Sequence, residues 1–503
     1  MKKVAATKVE ARIEATKVAV IGAGIAGLSA AIYLKRSGFD VTLIEQHSIT
    51  GGTCTSWRRK GYLFEGAVHW LTGSSPKTEL YQLWNETGAL NDKVKVFTPE
   101  IFSAVEHNGQ VINLFRDIEK TAEALLSISP GDKKQIRRLV NDVETFSHMS
   151  MPIFDIKGVK ARNPKRMSFS AMLKMLSVIP KIGKLNKMSF NEYVGQFDHP
   201  GIRRLLQITP EDYSAVGLIA TLSTLNGGDG GYPEGGSLAI ARRMTETFEK
   251  LGGKLLLNTK VKKVNIENGA VIGVTLENET LAADAVIVTQ ETIAAVHQLF
   301  DMPLNAPWIR ELCENIKSVA CVFIGVGIKA KIAQTPIPSW KLDVPVKYAE
   351  RTLTEISFNN YVDYEGYAPQ GCTALTTALM GDTYNFWKKA KDEGRYEQEK
   401  QALADQIGRV ICQKFLQAED KIEVIDIATP LTYERYTGAY HGSWMSVAGP
   451  GEKMKSFPGF LKNVSGLYFA GHRLMSPGGL PVAVATGRTA AQMVCRQFDV
   501  MFR

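Results

Sequence analysis

Three glycines and one glutamate near the beginning of the chain have the spacing of a dinucleotide-binding turn. Gly22, Gly24 and Gly27 form the pattern G-x-G-x-x-G, and Glu45 follows 23 residues after Gly22. The first glycine permits a tight turn, the second lets a pyrophosphate approach the backbone, and the third lets a helix pack against a strand. An acid at this distance accepts hydrogen bonds from a ribose diol, which argues against NADP and leaves FAD and NAD open.

The residues around the glycines predict the elements that such a turn needs. Val18–Ile21 is a short β-branched run suited to a buried parallel strand. Leu28–Arg36 continues as a helix rich in alanine and leucine, and Val41–Ile44 forms the next strand and ends at Glu45. The beginning of the helix offers free N–H groups and a positive dipole end to a phosphate.

A second stretch, in the middle of the chain, has a related pattern. A glycine-rich loop precedes a helix pattern at Leu238–Leu251 and then a run that predicts three or four strands. Asn268-Gly269 within that run is a strong hairpin-turn signal. The closing strand, Ala285–Thr289, returns to the apolar type expected of a parallel sheet.

A third stretch lies near the C-terminal end. Leu467–Ala470 predicts an apolar strand that ends at Gly471, and Gly479, Leu480 and Pro481 begin a helix pattern. Proline is well placed in the first turn of a helix. The stretch therefore predicts a strand followed by a helix.

Composition fits a soluble globular protein of more than one domain. The chain has 503 residues, of which 45% are hydrophobic and 22% charged. No apolar run approaches eighteen residues, and the beginning of the chain carries charges throughout, so we expect neither a membrane span nor a secretory signal. The six cysteines are scattered without C-x-x-C, and neither they nor the eight histidines have metal-ligand spacing. We expect a reduced, cytoplasmic setting and no metal.

Several of these stretches resemble the FAD-dependent amine oxidase and phytoene desaturase superfamily. The βαβ unit is followed by a second glycine pair, Gly51-Gly52, as in that superfamily. "TPLTYERYTGAYHGS" (residues 429–443), followed by "PGGLPVAVATGRTAA", closely resembles the carotenoid isomerase, phytoene desaturase and retinol saturase branch. "GYLFEGAVHW" (residues 61–70) matches the segment of that branch near the flavin. The sequence departs from many flavoproteins at His472, where they have an acid.

The resemblance implies non-covalent FAD rather than NAD. The predicted cofactor-binding residues come from all three stretches and are Gly22, Gly24, Ile25, Ala26, Gly27, Glu45, Gln46, Gly51, Gly52, Thr53, Val261, Gly471, His472, Gly479, Leu480 and Pro481. The helix that begins after Gly479 is predicted to stabilise negative charge on the reduced flavin.

Four polar residues are candidates for catalysis. Glu65 and His69 could transfer protons, with Arg435 and Tyr436 as polar neighbours. A structural hydrogen-bonding role for Glu65 and a packing role for His69 are the alternatives. The flavin would supply the redox chemistry while these residues handle protons.

The predicted fold class is α/β: a Rossmann-type FAD-binding domain, a second α+β substrate domain and a helical basic insertion. The predicted limits are residues 16–90, 226–300 and 456–503 for the three parts of the FAD domain. Residues 91–225 form the helical substrate- or membrane-facing region, and residues 301–455 form the substrate domain.

The net charge of +9 comes from one segment. Lys157–Lys187 contains nine Lys or Arg and no acid, interleaved with apolar residues at helical spacing up to Pro180, which interrupts the pattern. We predict that the segment makes peripheral contact with anionic lipid; a solvated helix face is the alternative. Nucleic acid is not expected as a partner, because no binding motif accompanies the charge.

The predicted function is hydride transfer on C–C double bonds of a hydrophobic polyene or isoprenoid, by desaturation, saturation or isomerisation. A polyene has little polarity, so its binding would come mainly from apolar burial. The alternative is an amine oxidase-like enzyme that oxidises a C–N bond of a small polar substrate. The electron partner remains open.

Overall fold

The structure is a computed structural model that describes residues 16–147, 153–165, 169–208, 213–301, 304–315, 317–447 and 449–503. The strands of these residues are β1 (Lys17–Ile21), β2 (Asp40–Ile44), β3 (Ser56–Arg59), β4 (Tyr62–Glu65), β5 (Val96–Phe97), β6 (Ile101–His107), β7 (Gln110–Phe115), β8 (Tyr232–Pro233), β9 (Lys254–Leu256), β10 (Lys263–Glu267), β11 (Ala270–Thr275), β12 (Thr280–Ala282), β13 (Ala285–Val288), β14 (Lys317–Val319), β15 (Cys321–Ile328), β16 (Trp340–Tyr348), β17 (Arg351–Ile356), β18 (Asn359–Asn360), β19 (Thr373–Met380), β20 (Ile422–Ala428), β21 (Met445–Val447) and β22 (Leu467–Phe469).

The α-helices of these residues are α1 (Ile25–Arg36), α2 (Glu79–Glu86), α3 (Ile118–Ile128), α4 (Lys133–Ser147), α5 (Phe169–Lys187), α6 (Phe190–Val194), α7 (Pro200–Leu205), α8 (Ala215–Asn226), α9 (Gly236–Lys250), α10 (Thr292–Gln298), α11 (Pro307–Asn315), α12 (Tyr384–Asp392), α13 (Tyr396–Lys414), α14 (Pro430–Thr437) and α15 (Leu480–Gln497). None of the described helices combines the length and the apolar character needed to cross a lipid bilayer.

A five-stranded parallel sheet joins the three predicted stretches. Its order is β22-β13-β1-β2-β9, with β1 between β2 and β13. The side chains of β1 from Val18 to Ile21 are buried, as are all four residues of β13, which is why these strands read as apolar runs. The prediction of a Rossmann-type sheet built from distant parts of the chain is confirmed.

Helices α1 and α15 pack closely beside this sheet. A Cβ on Gly487 of α15 would overlap the carbonyl oxygen of Ala26 in α1, so only glycine permits this approach. The Ser29 hydroxyl donates a hydrogen bond to the Val484 carbonyl oxygen across the contact (2.8 Å). The end of the chain is therefore fixed against its beginning.

The middle stretch forms α9 and then five strands rather than three or four. The hairpin turn predicted at Asn268-Gly269 is confirmed, since β10 and β11 pair antiparallel around it and both turn residues have positive φ angles of 50° and 74°. Strand β9 joins the parallel sheet, whereas β10, β11 and β12 form a separate antiparallel sheet.

The region between residues 91 and 225 is not purely helical. Strands β6 and β7 pair antiparallel around Asn108-Gly109, so the prediction of a helical region omitted a hairpin. Helix α5 also continues through Pro180, where the sequence predicts an interruption. Proline removes one N–H donor, yet the helix extends to Lys187.

The predicted substrate domain contains a four-stranded antiparallel sheet in the order β18-β19-β15-β20. The hairpin of β3 and β4, from the beginning of the chain, packs on one face of it. A Cβ on Gly325 would overlap the ring of Phe64, and a Cβ on Gly327 would overlap the ring of Tyr62. Two glycines of β15 thus leave flat slots for two aromatic rings, which fix the substrate domain to the nucleotide-binding part.

The domain limits stay a proposal, which separate hydrophobic cores support. One core lies entirely between Val105 and Leu222, and another between Val322 and Ile427. The largest core contains residues from the beginning, middle and end of the chain, as the discontinuous domain requires.

Candidate functional site

An open cleft with about 1370 Å³ of empty volume, a figure that includes its mouth, lies at the carboxyl ends of the parallel strands. In open α/β sheets, this edge is where ligands bind. The predicted cofactor residues that line the cleft are Gly22, Gly24, Ile25, Ala26, Glu45, Gln46, Gly51, Gly52, Thr53, Val261, Gly471, His472, Gly479 and Leu480. Gly27 and Pro481 are not among the lining residues.

Glycines form one wall of the cleft because the backbones there approach closely. A Cβ on Gly27 would overlap the carbonyl oxygen of Gly22, so glycine is required for α1 to begin this close to β1. Gly24 is the N-cap residue of α1 and lies beside Gly51, whose N–H donates to the Ala23 carbonyl oxygen (2.8 Å). The turn at Gly22 and Gly24 and the Gly51-Gly52 pair therefore form a continuous backbone surface that a diphosphate can approach.

Glu45 is a buried carboxylate at the end of β2. Its Oε2 accepts a hydrogen bond from the Ala23 N–H (2.8 Å), and its Oε1 accepts one from the His47 N–H (2.9 Å). Burial raises the pKa of Glu45, and these hydrogen bonds oppose that rise. Because each carboxylate oxygen has two lone pairs, Glu45 retains capacity to accept from ligand hydroxyls.

The middle stretch reaches the cleft through Val261. Its side chain is buried, and it lines the cleft together with Thr259 and Lys260. The Thr259 N–H donates to the Glu45 carbonyl oxygen (2.9 Å), which holds this stretch against the end of β2. Val261 thus lines the same cleft as Glu45, and its place in FAD binding stays a prediction.

The C-terminal stretch supplies Gly471, His472 and the beginning of α15. Gly479 is the N-cap residue of α15 with a φ angle of 116°, and Pro481 lies in the first turn of that helix. Burial lowers the pKa of His472 to about 3, so its imidazole is neutral. Its Nδ1 has no hydrogen-bond partner among the described residues. An unpaired buried nitrogen on a cleft is the feature expected of a group that bonds to a ligand.

A buried ion pair that the sequence does not predict lines the cleft. Arg473, which is only 1% exposed, places its Nε 2.9 Å from Oε1 of Glu291 and also donates to the Ser443 hydroxyl. Glu291 Oε2 accepts from the backbone N–H of Ala294 (3.0 Å) and of Tyr440 (3.3 Å). Burial lowers the pKa of Arg473, and the Glu291 carboxylate opposes this. The only sequence signal for this ion pair is an arginine, Arg473, that lies shortly after Gly471 and directly before apolar residues.

Glu65 has a structural position rather than the catalytic one predicted for it. The side chain is fully buried, and its carboxylate accepts from the Ser237 hydroxyl and N–H, the Tyr232 hydroxyl, and the N–H groups of Ala67 and Val68. Burial raises its pKa, against which these hydrogen bonds act. Gly66 and Ala67 line the cleft but Glu65 does not, so we revise its role to one of positioning.

His69 lies two residues beyond the cleft wall. It is half-buried, and its Nδ1 lies 3.1 Å from the side-chain nitrogen of Asn359. Burial lowers the pKa of His69 to about 4, which makes it neutral at physiological pH and a poor general acid.

Arg435 and Tyr436 are on the outer face of α14. Both are exposed; the guanidinium lies 4.5 Å from the centre of the Tyr436 ring, and that ring packs edge-on against His47. Neither lines the cleft, so the structure gives no support for a catalytic role. Tyr433, on the buried face of the same helix, points inward instead and donates to the Gly66 carbonyl oxygen (3.4 Å).

Beside the cleft is an apolar cluster that we call the apolar wall. Its centre is buried and consists of Cys321, Phe323, Ala428 and Tyr433, and its partly exposed edge consists of Trp57, Ala378, Met380 and Trp444. Phe323 pairs with Ala378 on one side and with Ala428 on the other, so these residues share one face of the antiparallel sheet. Trp57, Ala378, Met380 and Trp444 are only partly buried, and Trp444 also lines the cleft. The wall and the cleft are therefore continuous.

These residues fit a flavin dinucleotide. The glycine surface suits a diphosphate, Glu45 suits a ribose, and the unpaired His472 nitrogen lies in the stretch that leads into the first turn of α15. The beginning of α15 favours negative charge, which a reduced flavin carries.

Comparisons with known proteins agree with this assignment. The sequence model of the family described as "Flavin containing amine oxidoreductase" matches residues 25–495. The chain is 24% identical to a 1-hydroxycarotenoid 3,4-desaturase of Flavobacterium sp., over 95% of this chain and 99% of that protein. It is 21% identical to an all-trans-retinol 13,14-reductase of Danio rerio, over 84% of this chain and 76% of that protein.

A solved structure shares the fold. Putrescine oxidase bound to putrescine superposes with a TM-score of 0.58 at 18% identity, over 95% of this chain and 99% of that chain. The family match covers nearly the whole chain and the cleft has the features of a flavin site. The protein therefore belongs to the flavin-containing amine oxidoreductase family and is an FAD-dependent oxidoreductase.

Proposed function

We propose that the protein acts on C–C double bonds of a hydrophobic polyene or isoprenoid, by desaturation, saturation or isomerisation. The observation that carries this proposal is the apolar wall, which is continuous with the cofactor cleft through Trp444. An apolar substrate gains its binding free energy from burial against such a surface, at about 25 cal/mol per Å². The activities printed for the desaturase and the reductase are of this kind.

The charges around the wall disfavour the amine alternative. Asp426 accepts from the Trp57 indole N–H (2.6 Å) and lies 3.3 Å from Nε of Arg59. The Glu65 carboxylate accepts its hydrogen bonds from groups of the protein itself. An ammonium group held by a carboxylate needs an acid with free oxygens, and Asp426 and Glu65 already accept from groups of the protein itself.

The chemistry divides between cofactor and protein. Bound FAD supplies hydride transfer at N5 of its ring system. We assign its binding to the cleft residues described above, with Glu45 at the ribose and the beginning of α15 near the developing negative charge. Trp57, Met380 and Trp444, which are only partly buried, would contact the substrate and exclude water.

A variant of the wall tests this proposal. Met380→Glu places a charge on the partly buried face and should abolish conversion of a polyene such as lycopene, measured by chromatography, while FAD stays bound. Met380→Leu, which keeps volume and polarity, should retain conversion. Equal conversion by both variants would contradict the role of the wall.

We further propose that α5 attaches the protein to an anionic membrane, from which an apolar substrate can be drawn. Met172, Leu173, Leu176 and Ile179 are 40%, 51%, 55% and 48% exposed, so this helix presents an uncovered apolar stripe. Lys184 and Lys187 lie at the end of the helix and are exposed. Exposed apolar residues beside lysines favour the surface of an anionic bilayer over free solvent.

Only part of the basic segment supports this contact. Lys160, Lys165 and Lys181 form ion pairs with Asp499, Glu86 and Asp142, so their charges are compensated. Residues 166–168 lie outside the described part of the chain. The surface available to lipid is therefore α5 itself rather than the whole of Lys157–Lys187.

Co-sedimentation with vesicles of phosphatidylcholine and phosphatidylglycerol tests the attachment. A variant with Leu173, Leu176 and Ile179 changed to serine should lose binding, and high salt should weaken binding of the wild type. Lys160→Gln, which removes a compensated charge, is the matched control. Equal sedimentation of all three proteins would contradict the proposal.

A further inference from the structure

A polar pair lies on the same sheet face as the apolar wall. Asn359 is on the edge strand β18, directly opposite Thr376 of β19, and Ala378 follows two residues later on the same face. From the spacings of a β-sheet, Asn359 is about 8 Å from the beginning of the wall at Ala378. His69 joins this face through its contact with the Asn359 amide at 3.1 Å.

The same pair is close to the cofactor cleft. Ala67 lines the cleft, and His69 is two residues further along the chain, a distance of at most about 7 Å between α-carbons. The His69–Asn359 pair is therefore within about 8 Å of both the cleft lining and the wall, and so within reach of a long molecule that occupies them. Asn359 is exposed, so the pair is at the accessible end of this path.

Both side chains keep hydrogen-bonding capacity. Beyond their mutual contact, neither the second imidazole nitrogen of His69 nor the rest of the Asn359 amide has a partner among the described residues. The neutral imidazole offers one donor or acceptor, and the amide offers both kinds. No residue that the structure describes uses these groups, whereas the amide of neighbouring Asn360 donates to the carbonyl oxygens of Ile332 and Gln334.

We propose that His69 and Asn359 bind an oxygen function, a hydroxyl or a carbonyl, carried by an otherwise apolar substrate. The inference rests on the proposed function and specifies its substrate class. An oxygen at the accessible end keeps its hydrogen bonds while the hydrocarbon chain is buried against the wall. Because Asn359 is exposed, water can pair with its amide when the oxygen is absent, so we expect a modest preference for the oxygenated substrate.

This role replaces the proton transfer predicted for His69. A general acid or base shapes the pH dependence of turnover, whereas a binding residue changes the KM for the oxygenated substrate. The two roles therefore differ in a measurable way.

Competing substrates that differ only in the oxygen provide the test. Lycopene and β-carotene are each compared with the same molecule carrying a terminal hydroxyl, with anaerobic flavin spectra and chromatography as readouts. We expect the wild type to favour the hydroxylated partner about three- to tenfold in kcat/KM, mainly through KM. Asn359→Leu and His69→Phe should lose most of this preference, and His69→Gln should retain it.

The outcomes separate the inference from the function on which it rests. Equal use of both partners by the wild type would overturn the inference and leave the proposed function intact. If no polyene changes the flavin spectrum or is converted, the proposed function fails and the inference fails with it. A pH profile of kcat that changes shape in His69→Gln would return His69 to proton transfer.

Discussion

Arg473 and Glu291 form a buried ion pair on the cofactor cleft, with Nε 2.9 Å from Oε1. The pair joins three distant parts of the chain, because Arg473 also donates to Ser443 and Glu291 also accepts from the Tyr440 N–H. A buried ion pair adds little to stability in itself, but loss of one partner leaves the other charge uncompensated. The walls of the cleft therefore depend on both charges.

Arg473→Gln is expected to weaken FAD binding at least about tenfold. Breaking a buried ion pair costs about 3–5 kcal/mol, and part of that cost destabilises the cleft wall that binds FAD. The measurement is the dissociation constant of FAD from flavin fluorescence. Arg488→Gln is the matched control, because Arg488 forms an equally buried pair with Asp155 (2.5 Å) on α15 but outside the cleft. Equal loss of FAD affinity in both variants would show a general effect on folding instead.

His472 should make the protein less stable in mild acid. Its pKa is lowered by burial to about 3, below the value of about 6.5 for a solvated imidazole, so the unfolded chain takes up a proton first as pH falls. The stability that His472 provides is present above pH 6.5 and is lost progressively towards pH 3. Between pH 7 and 5.5 this loss is about 1 kcal/mol.

Urea unfolding of the holoprotein at these two pH values measures that loss. His472→Asn should lack this part of the pH dependence, whereas His297→Gln, at an exposed position, should behave as the wild type does. An identical pH dependence in His472→Asn and wild type would show that His472 is not a buried neutral group.

The slots that Gly325 and Gly327 leave for Phe64 and Tyr62 predict a stability effect. Gly325→Ala forces its new methyl group into the Phe64 ring and should lower the free energy of unfolding by about 1–3 kcal/mol. Phe64→Leu in the same chain should recover part of the loss. Gly131→Ala, where nothing lies within 4 Å of the new Cβ, should be close to neutral.

Glu65→Gln is expected to act on stability and FAD content rather than on proton transfer. The amide replaces one of two acceptor oxygens with a donor that faces other donors, at a cost of about 1–3 kcal/mol. Thermal unfolding and the ratio of flavin to protein absorbance measure these effects. The pH profile of kcat/KM should keep its shape; loss of one limb would restore Glu65 as an acid or base.

Motifs that act within a short segment could be predicted from the sequence. The glycines at 22, 24 and 27 and the hairpin at Asn268-Gly269 each define a backbone turn by themselves, and the structure has them where predicted. Asn108-Gly109 carries the same turn signal, although the composition of residues 91–225 predicts a helical region. Turn chemistry was the stronger signal there.

Side-chain partners from distant positions could not be predicted. Glu65 is made structural by Tyr232 and Ser237, and Arg473 is compensated by Glu291; each pair is more than 160 residues apart in the sequence. On α14, the motif contains Tyr433 and Tyr436, but which of them faces the apolar wall depends on the rotation of the helix. Packing on the substrate domain decides that rotation, and it turns Tyr433 inward.

Anaerobic titration of the FAD-loaded protein tests the central claim most directly. The flavin spectrum is recorded with the oxidised cofactor, and again after reduction, while polyenes and retinoids are added in one series and simple amines in another. We predict that polyenes or retinoids are converted and change the flavin spectrum in at least one redox state, while amines do neither. Rapid bleaching of the oxidised flavin by amines, with no conversion of any polyene, would contradict the account.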